Sequence, residues 1–230
     1  MIYVKGCAIV KYELYDHKRL EDHMATKLKI AIIGATGNVG QRIVDEALRR
    51  GHRITGIARS IGGVTNRDNL IFIAGDSSNP QALGQILKGH DLVISSVKFT
   101  RVDPNQLIAA VRLAGIKRLL VVGGAGTLEV KPGVTALQAG GIPDDRMPDS
   151  LAGQHFLEII KSTTDLDWTV LSPAAQFTAG KRTGQFRLGD DQLIIDEKGK
   201  SAISFEDFAV ALLDEAEEPR HTKRRFSIGY

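Results

Sequence analysis

Three glycines, Gly34, Gly37 and Gly40, follow the apolar run Ile30-Ala31-Ile32-Ile33 and open an amphipathic segment. That segment carries Val39, Ile43, Val44, Ala47 and Leu48 on one face and stops at Gly51. A buried strand, a tight turn and a helix N-terminus thus occur in the order that holds a dinucleotide pyrophosphate. The first N–H groups of a helix have no backbone partners and carry the positive end of its dipole. Glycine removes the Cβ that would keep phosphate oxygens away from them. Gly34, Thr36, Gly37, Asn38, Val39 and Gly40 are therefore the expected phosphate loop.

The ends of the later strands extend the site. The second strand ends in Ala58-Arg59, nineteen residues after Gly40, with no acid to hold the ribose hydroxyls of NAD. Arg59 can instead pair with a 2′-phosphate, so NADP(H) is expected over NAD(H). Asp76, after Ala74-Gly75, is placed to accept from an adenine amino group or to cap a turn. Ser95, Ser96 and Val97 are small enough to let the chain pass close to the cofactor riboses. Gly123 and Gly124 do the same after the fifth strand, and Pro173 shapes the nicotinamide end.

These positions need a frame. Arg53–Ala58, Leu70–Ala74, Asp91–Val97, Arg118–Val122, Trp168–Leu171 and Arg225–Ile228 read as further strands. Asn79-Pro80 and Asp103-Pro104 each start a helix with a cap and a proline. A glycine-rich loop from Gly123 to about Pro148 leads to a helix over Leu151–Ser162. Ser204-Phe-Glu-Asp resembles a capping box. Strands rich in Ile, Val and Leu, alternating with helices, predict a Rossmann-type α/β fold. Its doubly wound parallel sheet forms a single three-layer αβα domain over residues 27–230.

Residues 1–26 differ: they hold Tyr3, Tyr12, Tyr15 and the lone Cys7. They read as an extension outside the core, an upstream start or accessory segment, although Ile2, Val4 and Ile9-Val10 also suit an edge strand. One cysteine excludes an internal disulfide and a Cys-based zinc site, and no His and acid cluster has metal-ligand spacing. Cytoplasmic placement is the simplest expectation, with no membrane or nucleic-acid partner. The basic run Arg220–Arg225 has no interleaved aromatics and reads as a solvated loop. His52 and His90 read as solvated at strand entries.

The stretches Gly34–Gly40, Ala58-Arg59, Gly75-Asp76, Val121–Gly126 and Leu166–Pro173 resemble the atypical short-chain dehydrogenase/reductase group. Within it the chain is similar to NAD(P)H-binding proteins related to biliverdin-IXβ/flavin reductase and to NmrA-like regulators. The resemblance implies a Rossmann fold and NADP(H). That group's usual catalytic set is a serine after the fifth strand and Tyr-x-x-x-Lys on the next helix. Here the fifth strand ends in glycines, and no tyrosine occurs between Tyr15 and Tyr230. His155 is the replacement candidate for the acid, lying near where the lysine would fall.

Reducing an ordinary ketone yields a basic alkoxide that needs a positioned acid. Flavins, quinones and linear tetrapyrroles spread the charge and need mainly stacking and a short hydride path. The expected activity is therefore reduction of such a planar acceptor. The alternatives are a non-catalytic NADP sensor of the NmrA type that binds a protein partner, and, less favoured, an epimerase or dehydratase. Gln176–Asp196, with Phe177, Lys181-Arg182 and Phe186-Arg187, is expected to cover the nicotinamide. Its phenylalanines suit an apolar platform, its bases an acidic acceptor, and the whole equally suits an ordinary hairpin.

Overall fold

The computed structural model describes residues 27–230, so the readings made for residues 1–26 lie outside the described residues. In chain order the elements are β1 (Lys29–Ile33), α1 (Asn38–Arg49), β2 (Arg53–Ala58), β3 (Leu70–Ala74), α2 (Pro80–Leu87) and β4 (Leu92–Ser95). They continue with α3 (Pro104–Leu113), β5 (Arg118–Val122), β6 (Glu129–Lys131), β7 (Val134–Thr135), α4 (Met147–Lys161) and β8 (Asp167–Pro173). The last are β9 (Gln176–Thr178), β10 (Arg187–Gly189), β11 (Ala202–Ser204), α5 (Phe205–Glu217) and β12 (Arg224–Gly229).

Among the described residues eight strands form one sheet in the order β10-β12-β8-β5-β4-β1-β2-β3. Seven run parallel; β10 pairs antiparallel with β12 at one edge, a departure from the all-parallel expectation. Alternation along each strand explains why its sequence is apolar throughout. In β1, Ile30 and Ile32 face one core with Ile43, Val44, Phe208 and Leu212. Ala31 and Ile33 face the other, with Leu83, Leu107, Val111, Phe156 and Trp168. Helices α1 and α5 therefore cover one face, and α2, α3 and α4 the other. The chain reverses its strand order between β1 and β4, which opens a crevice at the strands' carboxyl ends.

The caps follow the sequence. Asn79 accepts from the Ala82 N–H, and Asp103 from those of Asn105 and Gln106. Ser204 Oγ accepts from the Asp207 N–H at 2.9 Å. The reciprocal half of the expected capping box is absent, because the Asp207 carboxylate is used elsewhere. It accepts from Thr183 N at 2.7 Å, Gly184 N at 2.8 Å and the Tyr230 hydroxyl at 2.7 Å. One buried carboxylate thus ties down the segment between β9 and β11.

Three expectations are corrected. The loop after β5 contains the β6–β7 hairpin, and α4 starts at Met147 rather than Leu151. His52 is fully buried, with Nε2 2.9 Å from Glu217, and His90 Nε2 lies 2.8 Å from the Thr55 hydroxyl. The basic run is largely structural. Arg225 is buried against Asp191, while the Arg220 and His221 N–H groups donate to Glu215. Short-range pattern cannot register the partners of His52 and Arg225, which lie 165 and 34 residues away in sequence.

A candidate dinucleotide site with an adjoining cavity

Gly34 takes φ +84° and donates its N–H to Ile57 O at 2.8 Å, which turns the chain back across β2. A Cβ there would sit 2.5 Å from the Ser96 carbonyl oxygen, so the chain after β4 leaves room only for glycine. Gly37 is the N-cap of α1 and supplies no side-chain bond, and the first turn holds no acid. Helices α2, α3 and α5 are instead closed by Asn79, Asp103 and Ser204. The α1 N-terminus keeps its donors and its positive field for an anion from outside.

A cleft of about 560 Å³ opens above that N-terminus. Gly34, Thr36, Gly37, Asn38, Val39, Arg59, Asp76, Ser96, Val97 and Gly123 all line it. The remaining expected cofactor residues lie elsewhere, each for a visible reason. Gly40 is buried in α1, where its missing Cβ lets the helix rest on the Gly34 carbonyl. Ser95 is buried within β4, in register between Ile33 and Val121. Gly124 and Pro173 line a second cavity next to the first.

Arg59 is exposed at the cleft edge. Asp76 accepts from Ser78 N at 2.9 Å, and the Ser78 hydrogen bonds hold its carboxyl below the usual range, with Arg59 adding to them. It is both a turn-former and an ionised acceptor at the cleft. Dimensions and donors suit a dinucleotide: a deep groove, an open helix N-terminus and a cation beyond β2.

The second cavity, about 500 Å³, is walled by Phe99, Phe156, Phe177, Val170 and a run of glycine and alanine. Lys98, Phe99, Gly123, Asp149 and Phe177 border both spaces. Phe99 packs on the bare Cα of Gly153, where a Cβ would come within 2.8 Å of its ring. Phe99 and Phe156 lie 5.2 Å apart between centroids. Phe177 is braced by Phe205 at 4.7 Å and Phe208 at 4.8 Å. Of the segment expected to cover the nicotinamide, Phe177 faces the site. Phe186 is buried in the core instead, and Arg182 is bound to Glu46.

Helix α4 presents Asp149, Ser150, Gly153, Phe156 and Leu157 to the second cavity. At roughly 100° per residue, His155 projects about half a turn away from that face. It borders a shallow depression with Thr100, Arg101 and Asp103, outside both cavities. The histidine expected as a replacement acid is therefore not positioned for that role. Its replacement, His155→Ala, should leave kcat and KM within two-fold in any steady-state assay; a ten-fold loss would return it to the chemistry. The cavity-facing pairs four residues apart on α4 are Asp149 with Gly153 and Gly153 with Leu157, so α4 offers neither a tyrosine nor a lysine there. Tyr230 borders neither cavity and is bonded to Asp207 and Ser204.

Sequence reasoning passed over Lys98, Phe99, Arg101, Arg146 and Asp149. Lys98 and the turn Phe99–Arg101 fall between elements, where no periodicity marks them. The helical pattern gave α4 without its first turn, which holds Asp149.

Comparison with known proteins agrees with this geometry. A family profile described as NAD(P)H-binding matches residues 34–219. The uncharacterised protein YwnB of Bacillus subtilis is 36% identical over 211 residues, spanning 87% of this chain and 98% of its own. A solved protein of Bacteroides thetaiotaomicron, named as a candidate epimerase, superposes with a TM-score of 0.85. It is 37% identical and covers 89% of this chain and 98% of that one. A candidate NADH-flavin reductase from Streptococcus pneumoniae superposes at 0.76 with 32% identity, covering 88% and 99%. Phosphate loop, strand order and relatives coincide: the chain belongs to the NAD(P)H-binding family of Rossmann proteins, akin to the atypical short-chain dehydrogenases/reductases.

Proposed function

We propose that the protein is an NADPH-dependent reductase of a planar, conjugated acceptor such as a flavin, a quinone or a linear tetrapyrrole. The observation that carries this reading is the face of α4, which turns Asp149 and Gly153 to the cavity in place of a proton-donating pair. An acceptor that spreads its charge has least need of such a pair. An aromatic-walled space beside the nucleotide cleft suits a flat ring system.

The α1 N-terminus would hold the pyrophosphate, Arg59 the 2′-phosphate and Asp76 the adenine amino group. When bound, the reduced nicotinamide supplies two electrons and one hydrogen. Phe177, braced by two further rings, and Phe99 hold the acceptor flat and keep bulk water out. The names carried by the two solved relatives differ, so they do not choose an activity.

The test is NADPH oxidation by the purified protein with free flavins, quinones and biliverdin, with NADH in parallel. Saturable turnover is expected. Tight NADPH binding without turnover on any acceptor would overturn the reductase and leave the sensor, with a protein partner, as the working account. Arg59→Asp removes a charge-assisted contact worth about 2 kcal/mol, so the KM for NADPH should rise roughly thirty-fold. NADH kinetics should be unchanged or improved; equal losses with both cofactors would refute the role given to Arg59.

A further inference from the structure

Among the described residues four cations line the two cavities, and one of them borders both. Arg59 and Arg101 face the nucleotide cleft and Arg146 the second cavity, whereas Lys98 lines each. Lys98 immediately precedes the turn Phe99–Arg101. That turn is held in place by the packing of Phe99 on Gly153 and Phe156. Among the described residues the Lys98 ammonium makes no hydrogen bond or ion pair. The carboxylate that also borders both spaces, Asp149, is engaged elsewhere. It accepts from the Thr100 N–H and hydroxyl at 3.0 and 3.1 Å. Lys98 is thus an exposed cation, uncommitted among the described residues, on a residue that borders both spaces.

Resting on the reductase reading, we infer that Lys98 is a catalytic residue whose ammonium stabilises the negative charge that develops on the acceptor. In the step, a C–H bond of the reduced nicotinamide breaks and its electron pair moves, with the hydrogen, to the acceptor. The nicotinamide is oxidised and the acceptor reduced. The acceptor gains two electrons and one proton's worth of hydrogen, so it is left a monoanion that water then protonates. A cation at that boundary lowers the energy of the anion more than that of the neutral acceptor. It does electrostatically what α4 does not do by proton donation. The acceptor class follows: rings that place the new charge on a carbonyl oxygen or ring nitrogen, as quinones and flavins do.

Two probes separate charge from shape. The probe 2-hydroxy-1,4-naphthoquinone is an anion at neutral pH, whereas menadione is neutral with the same ring system. Each is titrated calorimetrically against the protein saturated with NADP+. Lys98→Ala and Lys98→Gln are expected to weaken the anion by about ten-fold and leave menadione within two-fold. Lys98→Arg should restore the anion. With menadione as substrate, kcat should fall roughly thirty-fold in Lys98→Ala, while the Kd for NADPH stays within two-fold.

Equal weakening of both probes, or a kcat loss that Arg does not restore, would overturn the assignment by making Lys98 a packing residue. Wild-type turnover that Lys98→Ala retains would overturn the role of Lys98 alone. A wild-type protein that reduces only biliverdin would overturn the role of Lys98, and one that reduces no quinone, flavin or linear tetrapyrrole would overturn the reductase reading with it.

Discussion

Gly40→Ala is expected to abolish high-affinity NADPH binding, raising Kd at least a hundred-fold, and to destabilise the fold by about 3 kcal/mol. Within an ordinary helix the same change gains about 1 kcal/mol, because alanine loses less backbone entropy than glycine. Here the sign reverses. An alanine Cβ at position 40 would lie 2.1 Å from the Gly34 carbonyl oxygen and 2.9 Å from its carbon. Those atoms are backbone and cannot rotate aside, so α1 must lift from the turn that it presents to the pyrophosphate. Gly62→Ala is the control, because Ser60 Oγ at 3.9 Å is the nearest atom to a Cβ there. It should stay within about 0.5 kcal/mol of the parent in a urea melt. A Gly40→Ala protein that binds NADPH normally would show that the turn yields and that the clash does not govern the site.

The second large effect lies at the opposite end of the sheet. Glu46 on α1 is 3% exposed and meets Arg50 at 3.0 Å and Arg182 at 2.8 and 2.9 Å. Arg50 continues to Asp214 at 2.8 Å and Glu217 at 2.6 Å on α5, and Glu217 reaches buried His52. Burial alone would raise the Glu46 carboxyl, but the Arg182 hydrogen bonds and the Arg50 charge outweigh it and bring it to about 2. From an ordinary 4.5 that corresponds to roughly 3 kcal/mol of pH-linked stability.

The folded-state value is depressed, so this contribution is complete above pH 4.5 and is lost as pH falls toward 2. Glu46→Gln should therefore cost about 3 kcal/mol at pH 7, because it removes the buried carboxylate charge shared by half-buried Arg50 and exposed Arg182. The gap from the parent should close progressively in denaturant melts between pH 4.5 and 2. A gap that is constant across this range would assign the loss to packing rather than charge. Because Arg182 follows β9, the same network also anchors the segment that carries Phe177.

The sequence was legible wherever local rules decide the outcome. Cap-and-proline pairs at Asn79-Pro80 and Asp103-Pro104 start helices because side chain and ring act within one turn. Glycines at 34 and 37 and the small residues at 96 and 97 mark the nucleotide cleft, since close approach to backbone demands them. Continuous apolar strands imply a sheet covered on both faces, and the two separate cores bear that out.

What escaped was set by distance in three dimensions. Helix phase, not proximity along the chain, turns His155 away from the cavity and Asp149 toward it. Lys98 borders two spaces because an irregular turn leads past β4, and irregular turns carry no period to read. Burial of His52, Arg225 and Asp207 depends on partners 165, 34 and 23 residues away. By itself the sequence determined the family and the order of strands and helices, because apolar periods, caps and glycine turns act within a few residues. Only the tertiary structure decided which charges are consumed in holding the fold and which remain to meet a substrate, because pairing over long separations is fixed by packing.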